Sequence, residues 1–174
     1  MSKKLEIIQL GNPILRETAA IVESWSDKSL QRLIKELIQT TVKHKGVGIA
    51  APQVSRSLRL MIIASHPTPR YPHAPQMAPT AMINPHLITH GTEIEKSWEG
   101  CLSIPGIRGL VPRYKNIAVE YTDINGKGCH QELTDFVARI FQHEYDHLQG
   151  IVFLDRVEST QEMITELEYQ KLFN

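Results

Sequence analysis

The sequence has no excess charge of one sign, no long apolar run and little cysteine. Its 174 residues include 19 Lys and Arg against 19 Asp and Glu, so the net charge is zero. Global charge therefore gives no reason to expect binding to nucleic acid or to an anionic membrane. The longest apolar run, Leu60 to Ala64, is far too short to span a bilayer. The first residues also lack the apolar core and cleavage site of a secretory leader, which predicts a cytoplasmic protein.

Only two cysteines are present, Cys101 and Cys129. In a chain without a leader, such a pair is expected to remain as free thiols in a reducing compartment. Apolar residues make up 41% and charged residues 22%, which is typical of a globular protein. A chain of this length can bury one core of its own, so we expect residues 1–174 to form a single domain.

The hydrophobic patterns predict two long helices with strands grouped between them. Apolar residues recur with helical spacing between Ser26 and Lys45, with Ser26 or Asp27 as the cap and Gly46 as the stop. A second helix is expected from Thr134 or Asp135 to about Gln149, ending at Gly150. Strands are predicted over residues 58–64, 81–87, 92–97, 117–123 and 129–133. Because strands and helices are segregated along the chain, the fold class is α+β.

Two further segments carry weaker predictions. Residues 66–79 hold five of the ten prolines, and we expect a solvated loop insertion there, with a lid as the alternative. The segment Ser159-Thr160-Gln161-Glu162 resembles a capping box, which predicts a C-terminal helix over residues 159–172.

The second helix contains His143-Glu144-Tyr145-Asp146-His147, an H-E-x-x-H pattern. Histidines four residues apart lie on one helix face and can bind one metal ion together. Phe136 and Ile140 fall on the same stripe, so a metal would lie beside an apolar wall. Glu144 is one step round from His143 and can reach a water on the metal. The alternative is an ordinary helix surface, but a solvated face would not carry Phe and Ile in register with the histidines.

A third ligand is available in the stretch WEGCLSIPG, Trp98 to Gly106. The thiolate of Cys101 would bind zinc or ferrous iron strongly. An isolated cysteine is more often a buried free thiol, but an H-E-x-x-H pattern short of one ligand favours the metal.

The stretch GVGIAAPQ, Gly46 to Gln53, superficially fits a dinucleotide-binding fingerprint. That fingerprint must follow a buried strand and open a helix, whereas this stretch follows a helix and contains Pro52. We expect instead a glycine-rich strand that can pair with an extended ligand. The side-chain amide of Gln53 is a suitable donor to a developing oxyanion, unless it simply faces solvent.

Together these three stretches resemble the peptide deformylase family, whose ordered motifs are G-x-G-[LI]-A-A-x-Q, E-G-C-L-S and Q-H-E-x-D-H. They appear here as Gly46–Gln53, Glu99–Ser103 and Gln142–His147. The resemblance implies antiparallel sheets around a central helix that carries the histidines. It also implies a hydrolase that removes the formyl group from the N-terminal formylmethionine of nascent polypeptides and releases formate.

The resemblance further implies a role for each matching residue. Cys101, His143 and His147 would hold one divalent ion, natively Fe²⁺, with Zn²⁺ or Ni²⁺ able to substitute. Glu144 would be the general acid and base. Gln53 and the backbone N–H of Leu102 would donate to the oxyanion.

A methionine side chain needs an unbranched apolar slot. Phe136 and Ile140 would form one wall, with Val47 and Gly48 opposite, and the peptide backbone would pair near Gly48 and Gly106. Arg139, one position from this wall, is expected to point to solvent, with a contact to the peptide backbone or to acidic residues as the alternative. Cys129 and His130 belong to no motif and are read as structural.

The expected partners are formylated nascent polypeptides, and the chain is expected to act as a monomer. Bacterial relatives often dock on ribosomal RNA through a basic C-terminal helix. Here the segment from Glu158 to the C-terminus is acidic, which argues against the same docking on RNA.

Two other readings remain open at this point. A zinc endopeptidase would share both histidines and Glu144 but would take its third ligand from Glu158 or Glu162. A non-catalytic, metal-stabilised binding module would fill the fourth metal position with protein, for example with Cys129 or another histidine.

Overall fold

Two antiparallel sheets and three helices build the fold in the computed structural model, which describes residues 5–173. The helices are α1 (Lys28–Lys43), α2 (Asp135–Leu148) and α3 (Glu166–Phe173). The strands are β1 (Gly48–Ala50), β2 (Leu60–Ile63), β3 (Thr80–His90), β4 (Ile94–Cys101), β5 (Ile104–Tyr114), β6 (Asn116–Thr122), β7 (Gly128–Thr134) and β8 (Met163–Thr165). The predicted α+β class is confirmed.

The larger sheet has the strand order β1-β2-β3-β6-β7, and a helix covers each of its faces. Side chains alternate between the two faces of a strand, so the strands contribute residues to an apolar core on each side of the sheet. Ile49, Leu60 and Ile62 pack with the apolar stripe of α1. Their neighbours Ala50 and Met61 pack with α2 on the other side. Helix α2 therefore lies between the sheet and the second, smaller sheet.

The smaller sheet has the order β4-β5-β8 and carries its own apolar cluster. Cys101, Ile104 and Val111 from this sheet pack against Val152 and Phe153, which follow α2. Cys101 thus lies at the end of β4, where the two halves of the fold meet.

Helix α1 follows its predicted stripe, but its end differs in one detail. Asp27 caps the start by accepting a hydrogen bond of 2.6 Å from the Ser29 N–H. At the other end Lys45, not Gly46, takes the left-handed conformation, with φ +53°. The Gly46 N–H then donates to the Thr41 carbonyl over 2.9 Å, which closes the last turn. This frees Gly46 and the residues after it to enter the strand.

Helix α2 begins after Thr134 and ends at Leu148, within one residue of the prediction, although the Thr134 side chain makes no capping hydrogen bond. The predicted left-handed stop at Gly150 is confirmed. Gly150 has φ +72°, and the Ile151 N–H donates to the Asp146 carbonyl over 3.0 Å. A Cβ at Gly150 would lie only 2.6 Å from the backbone oxygen of Arg16. Glycine is therefore required here both by the backbone conformation and by the close approach of the N-terminal segment.

The predicted strands are present, with the hairpin of β6 and β7 paired from Asn116↔Thr134 to Thr122↔Gly128. Strand β5 was not predicted, because its sequence contains two prolines and two glycines. Pro112 is tolerated since β8 pairs only with residues 107–109, which leaves the far side of β5 open at Pro112.

The predicted helix over residues 159–172 is wrong in its first half. Ser159 does cap a turn, but only the short 3-10 turn Thr160–Glu162. Residues 163–165 then pair with β5 as strand β8, and the helix begins at Glu166. Tertiary pairing with β5 overrides the local helix signal. Among residues 5–173, no helix is long and apolar enough to cross a membrane.

We predict that Gly150→Ala lowers the free energy of unfolding by about 2–3 kcal/mol, because an alanine there is strained and crowds the Arg16 carbonyl. Urea unfolding followed by circular dichroism measures the change. Gly128→Ala is the matched control, since its Cβ would meet nothing within 4 Å. Equal stability of the two variants would contradict this account of the α2 terminus.

Candidate metal centre and active site

Three potential metal ligands meet where α2 passes the end of β4. One ligand atom each from Cys101, His143 and His147 lies within 4.8 Å of the others. The Cys101 Sγ is 3.3 Å from the His147 Nε2. The two imidazole rings are 5.2 Å apart and nearly perpendicular, so their nitrogens can converge on one point. A soft thiolate and two imidazoles are donors that suit a divalent transition metal.

Glu99 fixes the orientation of His143. Its Oε2 lies 2.8 Å from the His143 Nδ1, which leaves Nε2 to face the other two ligands. Burial lowers the pKa of His147 well below its ordinary value, which keeps that imidazole neutral and able to bind a cation.

The Glu99 carboxylate is itself buried among cations. Arg113 binds both of its oxygens, at 3.0 and 3.1 Å, and the Arg139 Nη1 lies 2.9 Å from Oε1. Burial alone would raise the pKa of Glu99, but the charge of Arg113 and the hydrogen bond from His143 hold that pKa well below its usual range. Arg113 also donates to Asp146 over 2.6 Å, which links α2 to β5.

Glu144 is buried beside the three ligands and has an unused oxygen. Its Oε2 has no hydrogen-bond partner within residues 5–173. Burial raises the pKa of Glu144 to about 7, with the nearby His143 opposing the shift and Glu99 adding to it. Gly48 makes room for this carboxylate, because a Cβ at that position would lie 2.6 Å from the Glu144 Oε1.

Gln53 is buried and faces the cysteine, not solvent. Its Oε1 accepts from the Ala50 N–H at 2.8 Å, which orients the amide nitrogen toward the site. That nitrogen lies 3.4 Å from the Cys101 Sγ and 3.2 Å from the Ser103 Oγ. The short 3-10 turn Ala51–Val54 holds Gln53 in this position.

A pocket opens from the ligand cluster between β1, the end of β4 and α2. Its lining includes the predicted residues Val47, Gly48, Gln53, Cys101, Leu102, Phe136, Ile140, His143 and Glu144. The free edge of β1 borders this pocket, since β1 is the edge strand of the larger sheet. The geometry combines a metal site, a buried carboxylate, an amide donor and an apolar slot.

Some candidate residues lie elsewhere. Gly106 is exposed on β5 and outside the lining of the pocket. Cys129 lies on β7 opposite Tyr121, far along the other sheet. Glu158 and Glu162 both pair with Lys96. The side chains of Cys129, Glu158 and Glu162 do not join the ligand cluster that the described residues form. The ligand sets of the endopeptidase and of the binding module are therefore not brought together.

The structure also corrects two expectations about the surroundings. Arg139 is only 6% exposed and does not point to solvent, because Glu99 and the carbonyls of Val111 and Glu95 bind its guanidinium. The loop of residues 66–79 is not merely solvated, since Arg70 and Tyr71 line the pocket.

Sequence reasoning assigned no role to Arg113, Ser103 or Asp146. The only signal for Asp146 was its place inside the H-E-x-D-H motif. Arg113 lies between apolar residues in a strand that had not been predicted, so nothing marked it as a partner of Glu99.

Known proteins resemble this chain in sequence and in fold. The sequence profile of the polypeptide deformylase family matches residues 4–163. A curated relative from Nostoc sp., named peptide deformylase 2, is 64% identical over 97% of this chain and 94% of its own length. Peptide deformylase 2 from Shewanella oneidensis is 44% identical over 96% and 92%. The crystal structure of class I type b peptide deformylase from Acinetobacter baumannii with Met-Ala-Ser bound is 41% identical, with TM-score 0.87, over 90% of this chain and all of that chain.

We predict that Cys101→Ala weakens metal affinity by more than the roughly 10- to 100-fold that loss of an outer-sphere partner costs. Removing the thiolate leaves two imidazoles, too few to hold the ion tightly. Metal content after dialysis and competition with a chelator measure the loss. Cys129→Ala is the matched control and should bind metal like the wild type. Stoichiometric, tight binding by Cys101→Ala would exclude this ligand set.

Proposed function

The chain belongs to the polypeptide deformylase family and is a hydrolase that removes the N-formyl group of nascent polypeptides, and from this premise we propose which residues carry the reaction. The observation that carries the proposal is the convergence of Cys101, His143 and His147 beside Glu144, whose Oε2 has no partner among the described residues. A thiolate, two imidazoles and a nearby free carboxylate oxygen are the donor set of a metal-dependent hydrolase.

We propose that these three side chains would hold one divalent cation. A cation bound there supplies Lewis acidity, which acidifies water and polarises a carbonyl group. We propose Fe²⁺ as the native ion because the family resemblance implies it, with Zn²⁺ or Ni²⁺ able to substitute, since two imidazoles and one thiolate suit all three ions.

Glu144 is the proposed general base and acid. It takes the proton from the attacking water, and it returns that proton to the peptide nitrogen as the bond to the formyl carbon breaks. Formate and a free N-terminal amine result. Glu144 is buried, and its carboxylate occupies the space that a Cβ at Gly48 would take, which restricts its position beside the ligands.

Gln53 and the backbone N–H of Leu102 are the proposed donors to the oxyanion. The amide nitrogen of Gln53 is already held 3.4 Å from the Cys101 Sγ by the bond from Ala50 to its oxygen. Leu102 follows the cysteine directly and lines the same pocket. Donors fixed before the reaction stabilise negative charge without the cost of reorienting.

The substrate is proposed to lie extended along the free edge of β1. Main-chain pairing at Gly48 fits a peptide of any sequence, while the apolar wall of Phe136 and Ile140 receives the first side chain. Pairing near Gly106 remains a prediction, since that residue lies outside the pocket lining.

The chain is proposed to meet its substrate in the cytoplasm, where nascent chains emerge, without docking on RNA through its C-terminal segment. Acidic residues dominate that segment, and part of their charge is used internally. Glu166 binds Arg108 at 2.6 and 3.0 Å, and Glu158 and Glu162 pair with Lys96. A segment of this kind offers no basic surface to phosphate.

We predict that protein loaded with Fe²⁺ or Ni²⁺ without oxygen releases formate from formyl-Met-Ala-Ser, and that Glu144→Ala loses roughly 100- to 10,000-fold in kcat with its metal retained. A coupled assay for formate and elemental analysis measure both. Glu132→Ala, which removes an exposed carboxylate on β7, is the control. Full turnover in Glu144→Ala would refute its role, and no turnover by metal-loaded wild type would refute the function.

We predict that Gly48→Ala binds metal normally but loses about 100-fold in turnover. The added methyl group would lie 2.6 Å from the Glu144 Oε1 and 2.9 Å from the Ile140 Cγ2, so the carboxylate must shift. Gly91→Ala is the control, because its Cβ would meet only ordinary contacts at 3.6 Å or beyond. Wild-type turnover in Gly48→Ala would show that the carboxylate tolerates displacement.

A further inference from the structure

The proline-rich loop brings an aromatic ring into the pocket. Tyr71 lines the pocket together with Phe136 and Ile140. Its ring centroid is 5.0 Å from that of Phe136, with a tilt of 53° between the planes. We propose that Tyr71 is a specificity-determining residue, which closes the slot for the first side chain of the formylated peptide. This inference rests on the proposed function of the same site.

The loop that presents Tyr71 is fixed by its own hydrogen bonds. Thr68 and Tyr71 exchange backbone bonds of 3.0 and 3.1 Å, and the Ala74 N–H donates to the Tyr71 carbonyl at 3.2 Å. The Ser65 hydroxyl donates to the Pro75 carbonyl at 2.6 Å, which ties the loop to the end of β2. A loop closed in this way, and rich in proline, presents the ring in one position rather than as a mobile cover.

The hydroxyl end of Tyr71 contacts the strand that carries the metal ligand. The Gly100 N–H donates to the Tyr71 hydroxyl over 3.4 Å, and Cys101 is the next residue. Burial raises the pKa of the Tyr71 phenol, with the charge of Glu99 adding to the effect. The ring therefore reaches deep into the site, between α2 and the end of β4.

Arg108 packs against the Tyr71 ring. Its guanidinium carbon lies 5.6 Å from the Tyr71 centroid and 4.0 Å from that of Tyr169 on α3. Glu166 holds the same guanidinium through two hydrogen bonds. Because Arg108 is only 1% exposed, the ring of Tyr71 has little room to move away from the pocket.

These contacts fix the Tyr71 ring at the end of the slot that Phe136 and Ile140 line. An unbranched methionine side chain can enter between Phe136, Ile140 and the Tyr71 ring, whereas an aromatic side chain would need the volume that the ring fills. In an apolar pocket, a misfit of this kind is worth about 10- to 200-fold in selectivity. Removing the ring should therefore relax selectivity and not merely reduce activity.

The test compares two substrates that differ only in the first side chain, formyl-Met-Ala-Ser and formyl-Phe-Ala-Ser, on nickel-loaded full-length protein. Tyr71→Ala is expected to lower the ratio of kcat/KM for Met over Phe by about 10- to 100-fold. Tyr71→Leu, which keeps an apolar side chain in the loop, should shift the ratio in the same direction by less. Tyr71→Phe, which keeps the ring, should leave the ratio unchanged.

A second readout does not depend on turnover. Titration of the unformylated peptides Met-Ala-Ser and Phe-Ala-Ser by calorimetry gives a ratio of Kd values, which Tyr71→Ala should move the same way as the kinetic ratio. Failure of the wild type to release formate would refute the proposed function, whereas the Kd ratio tests Tyr71 alone. His73→Ala, in an exposed part of the same loop, is the control and should change neither ratio.

A purely structural role for Tyr71 predicts a different pattern. Both substrates would then lose activity in parallel in Tyr71→Ala and Tyr71→Leu, and the Met over Phe ratio would stay at the wild-type value. That result, or an unchanged Kd ratio, would overturn the proposal.

Discussion

The carboxylate of Glu99 is the group on which the rest of the site depends. It is buried, and it accepts from Arg113, Arg139 and His143 together. Removing one partner of such a buried ion pair costs about 3–5 kcal/mol, because the remaining charges are left without compensation. The same network continues through Arg113 to Asp146, which also binds Arg156. One buried carboxylate therefore joins β4, β5 and α2, and also fixes the ring of a metal ligand. The stability of the fold and the geometry of the site cannot be separated at this position.

Helix α2 can hold the metal ligands in place because each of its faces packs against a different part of the fold. Ala138 and Phe141 pack into the core under the larger sheet. Ile140 and Glu144 face the pocket. The Gln142 side chain donates to the Tyr114 carbonyl and accepts from the Tyr114 N–H, as the backbone of a paired strand would. A short amphipathic helix on a surface could not hold two ligands so firmly. Packing against both sheets gives the imidazoles and the carboxylate their fixed positions.

The sequence allowed much of this arrangement to be predicted, where the signal was local. The stripe of α1, the β6–β7 hairpin and the end of α2 at Gly150 follow from spacing and turn residues, and the three motifs point to one family. Contacts between residues far apart in the chain could not be predicted, because no local sequence pattern indicates them. Arg139 was expected at the surface because its neighbours on α2 do not reveal that Glu99 lies opposite. The start of α3 was misplaced because pairing with β5 claims residues 163–165. Tyr71 was missed because proline density shows only that a segment is irregular, not what that segment covers.

The residues proposed for catalysis and the residue proposed for selectivity lie in different parts of the chain, because Tyr71 belongs to the loop of residues 66–79. The groups proposed for the chemistry come from the end of β4, from α2 and from the turn after β1, which are packed into the apolar clusters of the two sheets. The Tyr71 ring comes from a segment without regular structure, held by hydrogen bonds within the loop and by the bond from Ser65 to Pro75. Such a segment tolerates insertion and substitution far better than packed strands do. The selectivity of the pocket can therefore change through this loop while the metal ligands stay the same, and directed libraries that leave the buried Thr68 and Ala74 unchanged would sample new selectivities at little risk to the fold.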